Sequence, residues 1–468
     1  MPLLNVKIAK KAYFYLTSKR HHDTDIGDGP LFGKILFFSL PIMAMNILQL
    51  LFNTADMIVV GRFSGSDALA AVGATGALIN LIITLFMGLS IGTSVVVARD
   101  YGAGKADAVS RSVHTSMVFS IIGGLIFMAV GLAFCKPLLV MMGTPENILN
   151  LAVLYIRIYL ISMPASMVFT FAAAIMRSAG DCYRPMYSLI ITGILHVGFN
   201  LFFVIVLHLG VDGVAWSTVI SQYLSALLIL ISLSRYDGAI RFIPRKMGID
   251  REKLKELIRI GLPAGLQGLL FSISNVLIQS AVNSFGSAMI AANAASSNIE
   301  NYIGTTVNAF YSAVVTFTAQ SVGAKKYDRI DTIAKVCTIL VFATWIFLGG
   351  VTMLFSRSLL DIFTTDPDVI KLGMLRLNII IIAYFTCGIM NVYPGLSYGM
   401  GYSISPMLCT LVGACLLRIV WLVTIFSWYP TEFWLFAAYP FTWTLAGTGQ
   451  VIIFFYARRQ IRKQVAAS

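Results

Sequence analysis

The chain has 468 residues, of which 58% are hydrophobic and only 12% are charged. A soluble globular protein carries about 25% charged residues, so this composition excludes a cytosolic enzyme, a nucleic-acid-binding module and a disordered scaffold. The six cysteines show no CxxC spacing, so neither a zinc site nor a disulfide framework is indicated. We therefore predict an integral membrane protein, whose surroundings are the lipid bilayer and which has no nucleic-acid partner.

The first half of the chain contains six apolar segments of the length that a membrane span needs, about 20 residues. In chain order they are Ile35–Ala55, Ala68–Ala98, Ser112–Cys135, Ile148–Ala174, Pro185–Gly210 and Gly213–Ser234. A polar stretch, Arg235–Arg259, then separates them from the rest of the chain.

Two of the apolar segments in the second half are long enough for two spans each. Ile260–Ile299 has no charge for 40 residues and must fold back near Phe285-Gly286-Ser287, after which Asn301–Ala324 completes the next helix. Leu377–Leu417 is again of double length, with a natural break at Gly399–Ser403. With Val336–Ser356 and Phe433–Ala457, the total is twelve helices, six in each half. The predicted fold class is an all-α polytopic membrane protein.

The predicted organisation has five segments. They are a cytoplasmic N-terminal tail at 1–33, an N-lobe with helices one to six at 34–234, a cytoplasmic linker at 235–256, a C-lobe with helices seven to twelve at 257–457, and a cytoplasmic tail at 458–468. The first 33 residues contain no apolar core followed by a cleavage site, so no signal peptide is expected.

The basic residues orient this arrangement. If the N-terminus is cytoplasmic, 27 of the 34 Lys and Arg residues fall in inner segments and only four fall in outer loops. This is the bias of the positive-inside rule, so both termini are expected in the cytoplasm. The net charge of +13 is then an orientation signal. A lipid-headgroup role for Arg235–Arg259 is the weaker interpretation.

The two halves repeat each other at a shift of 221 or 222 positions. Leu40-Pro41 corresponds to Leu262-Pro263, and ARDYGAGKAD from Ala98 corresponds to AQSVGAKKYD from Ala319 with five identities in ten positions. Six helices per repeat is an even number, so both repeats cross the membrane in the same direction. Parallel repeats of this kind are typical of secondary transporters that bind substrate between two lobes.

Polar residues at helix depth mark the candidate cavity. Asp56 shares one face of the first helix with Asn46, Gln49 and Asn53, because the spacing is 3, 4 and 3. Helix seven carries Gln267, Asn275 and Gln279, and helix eight carries Glu300. Ionisable residues inside a membrane usually face a cavity or an oppositely charged partner. The alternative for either acid is a structural pair with an intramembrane arginine.

Four motifs together resemble the multidrug and toxic compound extrusion (MATE) family. They are NTADMIVVGR around Asp56 after Leu40-Pro41, ARDYGAGK from Ala98, MRSAGDCYRPM from Met176 and GVAWSTVISQ from Gly213. The resemblance covers the chain from Leu31 to Gln460. It implies a V-shaped transporter of the inner (plasma) membrane that expels organic, often cationic, compounds in exchange for protons or sodium by alternating access.

Carried over by position, the coupling-cation site of the family falls on Asp56, His196, Asn200 and Thr218. Many ion-coupled members resemble Asn-x-x-x-Asp in the fifth helix, where this chain has His196-x-x-x-Asn200, so one carboxylate is replaced. Because an imidazole titrates near pH ~6.5, we expect proton coupling, with sodium as the alternative.

A second branch of the family has acidic residues in helices seven and ten. The corresponding positions in this chain are Ser272 and Cys387, and Asn391 stands where related chains often have an acid. A C-lobe ion site of that type is therefore not expected.

The predicted function is a cation-coupled antiporter of small amphipathic, often cationic, organic molecules. We expect it to be a monomer, with no cofactor and no metal apart from the coupling ion. A flippase of lipid-linked saccharides from the same superfamily is the alternative, although such proteins tend to have more spans and a strongly basic cavity. A major-facilitator transporter lacks support because the basic signature between helices two and three is missing. A channel or membrane enzyme would leave the repeat unexplained, and no HExxH, nucleophile-elbow or phosphate-loop motif is present.

Overall fold

The computed structural model describes residues 29–467, which are almost entirely helical. Of the predicted cytoplasmic tail at 1–33, residues 1–28 lie outside the described part of the chain. The first half consists of α1 (Leu31–Phe63), α2 (Ser66–Gly102), α3 (Ala106–Met141), α4 (Glu146–Leu160), α5 (Met163–Ser178), α6 (Tyr183–Leu201) with a π-helical end at Phe202–Val206, and α7 (Val211–Ser234). A 3₁₀ turn at Pro244–Lys246 lies in the loop that follows.

The second half begins with α8 (Arg251–Asn283) and α9 (Ser287–Gly323). It continues with α10 (Asp328–Thr344), a π-helical turn at Trp345–Gly349, α11 (Gly350–Leu354), α12 (Ser356–Asp361), α13 (Pro367–Ile382), α14 (Tyr384–Gly399), α15 (Ile404–Thr410), a π-helical turn at Leu411–Leu416, α16 (Leu417–Trp421), another at Leu422–Phe426, and α17 (Glu432–Ala467). Both predicted double-length segments break where expected, after Asn283 and after Gly399.

Twelve helical units in the described residues are long enough to cross a bilayer. Eight helical segments are long and apolar enough to cross a bilayer, and the bent pairs α4–α5 and α13–α14 bring the number to ten. The other two are α9 with 37 residues and α17 with 36, which at 1.5 Å per residue exceed the ~30 Å of a hydrocarbon core. The all-α, twelve-helix prediction is confirmed, and the helices extend further than the charge-free segments because their polar ends continue beyond the apolar window.

The repeat is visible in backbone geometry as well as in sequence. The helices α2 and α9 both have 37 residues and begin 221 positions apart. The pair α4–α5 bends by 47° and the pair α13–α14 by 48°. Positive φ angles recur at the same shift of 221 in three pairs, Gly65 with Gly286, Gly104 with Lys325, and Gly180 with Gly401. The predicted internal duplication is therefore a duplication of turns and bends.

Pro164 lies at the start of α5, beside the bend between α4 and α5, and a proline cannot donate the backbone hydrogen bond that would continue α4. The equivalent bend before Tyr384 contains no proline, so the fold does not require one there. Gly124 of α3 lies against the bend, since a Cβ there would stand 2.5 Å from Cα of Pro164. Pro41 and Pro263 lie inside α1 and α8, which continue as helices through them.

The described chain divides into two compact units. The first contains residues 44–258, and its core includes the buried side chains of Phe86, Met167 and Phe171. The second contains residues 29–43 and 259–467, and its core includes Phe436 and Trp443. The start of α1 thus packs in the second unit, where Phe38 meets the ring of Phe317 edge-on at 5.3 Å. The predicted lobe boundaries at 234 and 257 stay predictions.

The segment between α7 and α8 is anchored to the first unit by its backbone. The backbone N–H of Ile243 donates to Nε2 of His114 at 3.1 Å, and the N–H of Asp250 donates to the hydroxyl of Thr115 at 3.0 Å. At the start of α8, Lys253 Nζ pairs with Asp100 at 2.5 Å, and Ser112 donates to the same carboxylate oxygen. This segment is a fixed part of the unit.

Candidate functional site

The candidate ion site is built where α1 packs directly on α6. A Cβ at position 193 would lie 1.8 Å from Cζ of Phe52, so only glycine permits this approach. Asp56 follows Phe52 by about one turn of α1, and His196 follows Gly193 by about one turn of α6. The close contact therefore brings the two ionisable side chains to the same level.

Asp56 is bound by both polar residues that α6 presents to it. His196 contacts Oδ1 of Asp56 through Nε2 at 2.8 Å, and Asn200 donates to the same oxygen through Nδ2 at 2.5 Å. The side chains of Asp56 and His196 are only 14% and 9% exposed, and Asn200 is buried. Three of the four predicted coupling residues are thus brought together around one carboxylate oxygen.

The fourth predicted residue, Thr218, does not contact the carboxylate. Its hydroxyl donates to the backbone carbonyl of Val214 at 3.1 Å. Its neighbour Ser217 instead donates to Oδ1 of Asn200 at 3.1 Å, which orients the amide so that its NH₂ group faces Asp56. Sequence reasoning missed Ser217, although it stands beside Thr218 in the motif GVAWSTVISQ.

Two tyrosines of α4 complete the surroundings of the site. Tyr155 and Tyr159 lie near Asp56, and their rings are 6.1 Å apart. Their spacing of four residues, which places both rings on one face of α4, was the signal in the sequence.

The arrangement contains two ionisable groups, Asp56 and His196, in direct contact. Both contacts from α6 go to Oδ1 of Asp56. If Nε2 of His196 donates, Nδ1 carries the free lone pair of the neutral ring. Nδ1 is buried and has no hydrogen-bond partner, so it can accept a proton without breaking the bond to Asp56.

The other three residues of α1 that were assigned to the substrate cavity are partly or fully exposed. Gln49 and Asn53 are exposed and Asn46 is half-buried. They do not belong to the Asp56 cluster, and their assignment to a substrate cavity stays a prediction.

The amides of α8 are engaged in hydrogen bonds within the second unit. Gln267 accepts a bond from the hydroxyl of Tyr398. Gln279 accepts from Asn293 at 2.8 Å and donates to Asn283 at 2.9 Å. These amides hold neighbouring helices together and are half-buried, so some of their surface remains open.

Glu300 of α9 lies in an ion pair. Nη2 of Arg376 on α13 donates to Oε2 of Glu300 at 2.8 Å, and the two side chains are 4% and 16% exposed. Arg418 of α16 lies in the same cluster, where it donates to Oδ1 of Asn275 at 2.8 Å and interacts electrostatically with Glu300. Glu300 is thus paired with an intramembrane arginine, which is the alternative that the sequence left open for this acid.

The two arginines outnumber the acid. Arg418 is 0% exposed and its guanidinium lies 4.6 Å from the ring centre of Tyr439. A cation–π contact of this kind contributes about 0.5–2 kcal/mol, whereas leaving a buried charge without its partner costs about 3–5 kcal/mol. The ring therefore offsets only part of the cost, and the ionised cluster retains one uncompensated positive charge.

The positions that correspond to acids in the second branch of the family bond within their own helices. Ser272 donates to the carbonyl of Gly268 at 3.0 Å, and Asn391 donates to the carbonyl of Cys387 at 2.8 Å. Both side chains therefore bond to the backbone of their own helix.

The MatE family profile matches this chain twice, at residues 41–202 and 263–424, which together are more than half of its length and coincide with the two repeats. The probable multidrug resistance protein YoeA of Bacillus subtilis is 29% identical over 75% of this chain and 77% of its own. The probable multidrug resistance protein NorM of Thermotoga maritima is 25% identical over 81% of this chain and 82% of its own.

Solved structures share the fold. A crystal structure of MATE in the bent conformation superposes with a TM-score of 0.86 at 23% identity, covering 96% of this chain and 100% of that one. A crystal structure of MATE in the straight conformation gives a TM-score of 0.86 at 22% identity, with coverages of 95% and 99%. At this identity the comparison establishes the arrangement of helices.

Proposed function

Because the chain belongs to the MatE family of multi-pass membrane transporters, we propose that it is a proton-coupled antiporter that exports small amphipathic, often cationic, organic compounds. It acts in the inner (plasma) membrane with both termini in the cytoplasm, as the distribution of basic residues predicts. It works as a monomer and alternates between inward-facing and outward-facing forms.

The single observation that carries this proposal is the carboxylate of Asp56 held by His196 and Asn200. An antiporter needs a group whose occupation by the coupling ion changes its affinity for cargo, and coupling of this kind is reciprocal between the two sites. Asp56 meets the requirement because it is ionisable, mostly buried and bonded to a different helix. Protonation removes its charge and weakens both bonds to α6.

The change at Asp56 is transmitted through α1. When the bonds from α6 are weakened, α1 is free to bend, and Pro41 in its first half marks a point where the helix lacks a backbone hydrogen bond. The crystal structures of MATE in bent and straight conformations support a role for bending in the family. We propose that protonation favours the bent form, which expels cargo to the outside.

The cargo is bound by neutral amides and aromatic surfaces. The proposed cavity residues are Asn46, Gln49, Asn53, Gln267, Asn275, Gln279 and Glu300, most of which are partly open. Amides offer both donors and acceptors, so they tolerate compounds of varied shape. The relatives described as multidrug resistance proteins support a broad substrate range.

Transport in sealed proteoliposomes tests the proposal. Efflux of a fluorescent organic cation is measured with a pH gradient alone and with a sodium gradient alone at constant pH. We expect the pH gradient to drive efflux against the concentration gradient of the dye, and sodium to have no effect. Drive by sodium without drive by protons would contradict proton coupling, and equilibration without any drive would contradict antiport.

A further inference from the structure

The buried arginines of the second unit have more hydrogen-bond donors than their neighbours accept. Nε and Nη1 of Arg376, and Nε and Nη2 of Arg418, are buried and have no partner among the described residues. Guanidinium groups cannot lose their charge to relieve this, because they stay protonated in proteins.

The charges around Arg418 are also incomplete. Arg376 is compensated by Glu300, whereas the hydrogen-bond partner of Arg418 is the neutral amide of Asn275. The rings of Tyr439 and Phe271 face the guanidinium of Arg418 at 4.6 Å and 5.7 Å, but a ring face accepts no in-plane N–H. The group that would complete this cluster is an anion with acceptor oxygens.

We propose that Arg418, assisted by Arg376, binds an oxyanion inside the membrane-spanning part of the second unit. The oxyanion is the carboxylate of an amphipathic organic molecule or free inorganic phosphate. Both fit the planar fork of N–H donors that a guanidinium presents. The first source rests on the proposed function, because the molecule would then be exported cargo that carries a negative group.

The surroundings determine how such an anion reaches the arginine. Arg418 itself is 0% exposed, whereas Glu300 is 16% exposed in its side chain and Asn275 is half-buried. An incoming oxyanion meets Asn275 first and replaces its carbonyl oxygen on Arg418. The apolar part of the molecule then lies against Phe271 and Tyr439, which line the same guanidinium.

The charges predict variants with opposite effects. Arg418→Gln removes the positive charge that has no acidic partner, so binding of an oxyanion is lost. Glu300→Gln removes the competing negative charge, so binding of an oxyanion becomes tighter. If the cluster had only a structural role, the two variants would not change the affinity for an oxyanion in opposite directions.

Equilibrium binding to the purified full-length protein tests the site without any gradient. The probes are dansylglycine, which carries a carboxylate, its uncharged methyl ester, and the cation dansylcadaverine, detected by energy transfer from tryptophan. We expect the wild type to bind dansylglycine at least tenfold more tightly than the ester. We expect Arg418→Gln to abolish this preference, Arg418→Lys to retain part of it, and Glu300→Gln to increase it severalfold. Inorganic phosphate as a competitor distinguishes the free anion from the organic carboxylate.

Two control variants separate the possible failures. Arg157 is an exposed arginine of α4 in the first unit, so Arg157→Gln removes the same charge and should leave the preference unchanged. Asp56→Asn should also keep the preference for dansylglycine while losing gradient-driven export, so failure of antiport and failure of this site are distinguishable.

Equal binding of dansylglycine and its ester by the wild type, with no competition by phosphate, would overturn the proposal. An unchanged preference in folded Arg418→Gln would overturn it too. If Arg418→Gln does not fold, the comparison of dansylglycine with its methyl ester in the wild type decides alone, and equal binding overturns the proposal.

Discussion

The ring of Phe52 occupies the space that a side chain at Gly193 would need, with only 1.8 Å between Cζ and the Cβ that an alanine would add. This contact is one helical turn from the bond between Asp56 and His196. The distance between the two ionisable groups is therefore set by a glycine that carries no charge itself.

Gly193→Ala is expected to impair transport through this distance. The methyl group must displace Phe52 or separate α1 from α6, and overpacking of this kind costs about 1–3 kcal/mol. We expect a lower midpoint of thermal unfolding and strongly reduced pH-driven efflux. Gly198→Ala on the same helix is the matched control, because a Cβ there meets nothing within 4 Å. Equal transport by both variants would show that the close approach of α1 and α6 is not needed.

His196→Asn is expected to keep the protein folded while changing the pH dependence of efflux, because the partner of Asp56 no longer titrates. The amide can donate to Asp56 as the imidazole does, but it does not titrate. The measurement is efflux as a function of external pH. His208→Asn is the control, because His208 is exposed and lies in the loop after α6. A pH profile of His196→Asn that matches the wild type would make the imidazole a neutral spacer.

The ion pair of Glu300 and Arg376 is expected to be strongly coupled in stability. Glu300→Gln leaves two buried arginines without an acid and should cost about 3–5 kcal/mol. Arg376→Met should cost less, because Arg418 remains close to Glu300. The double variant should cost clearly less than the sum of the two. Denaturant unfolding in micelles measures all four proteins. Strictly additive losses would mean that Glu300 and Arg376 are not energetically coupled. Asp328→Asn is the control. Asp328 pairs with Arg462 but its side chain is fully exposed, so loss of its charge should not change stability.

Asp250 is expected to make the stability of the first unit depend on pH. Backbone N–H groups of Lys253 and Glu252 bond to its carboxylate, and Arg111 pairs with it at 3.1 Å. These contacts, the bond from Lys253 first, lower the pKa of Asp250 below its ordinary value. The contribution to stability is therefore complete above pH ~4, the ordinary pKa of an aspartate, and disappears as the pH falls through the lowered pKa.

The comparison is between the wild type and Asp250→Ala. Loss of this cap at the start of α8 should cost about 1 kcal/mol at neutral pH, and the difference in unfolding midpoint should shrink in acid. Asp237→Ala, at an exposed loop position, should show neither effect. A difference that is the same at pH 7 and in acid would assign the loss to packing alone.

Much of the fold could be predicted because it depends on local and periodic signals. Charge-free stretches fixed the helices, Gly286 and Gly401 marked the breaks, and the shift of 221 fixed the duplication. These quantities are distances along the chain, which a sequence contains directly. The grouping of Asp56, His196 and Asn200 was predicted from the resemblance of their motifs to the MATE family.

The partners within the site depend on rotation about helix axes and on packing, which a sequence does not contain. Ser217 and Thr218 are at almost the same depth, but they differ by about 100° around α7, and only Ser217 reaches Asn200. Likewise, the intramembrane arginines were visible, but their selection of Glu300 and Asn275 required the packing of α8, α9, α13 and α16.

The charge state of Asp56 is the centre of the proposed mechanism, and Asp56→Asn in sealed proteoliposomes tests it most directly. The substitution keeps the shape of the side chain and removes its titration, and Asp67→Asn at the exposed start of α2 is the control. With a pH gradient imposed and insertion verified, we predict that Asp56→Asn binds the dye but does not export it against its concentration gradient, whereas Asp67→Asn exports normally. Uphill export by Asp56→Asn at the rate of the wild type would contradict the account.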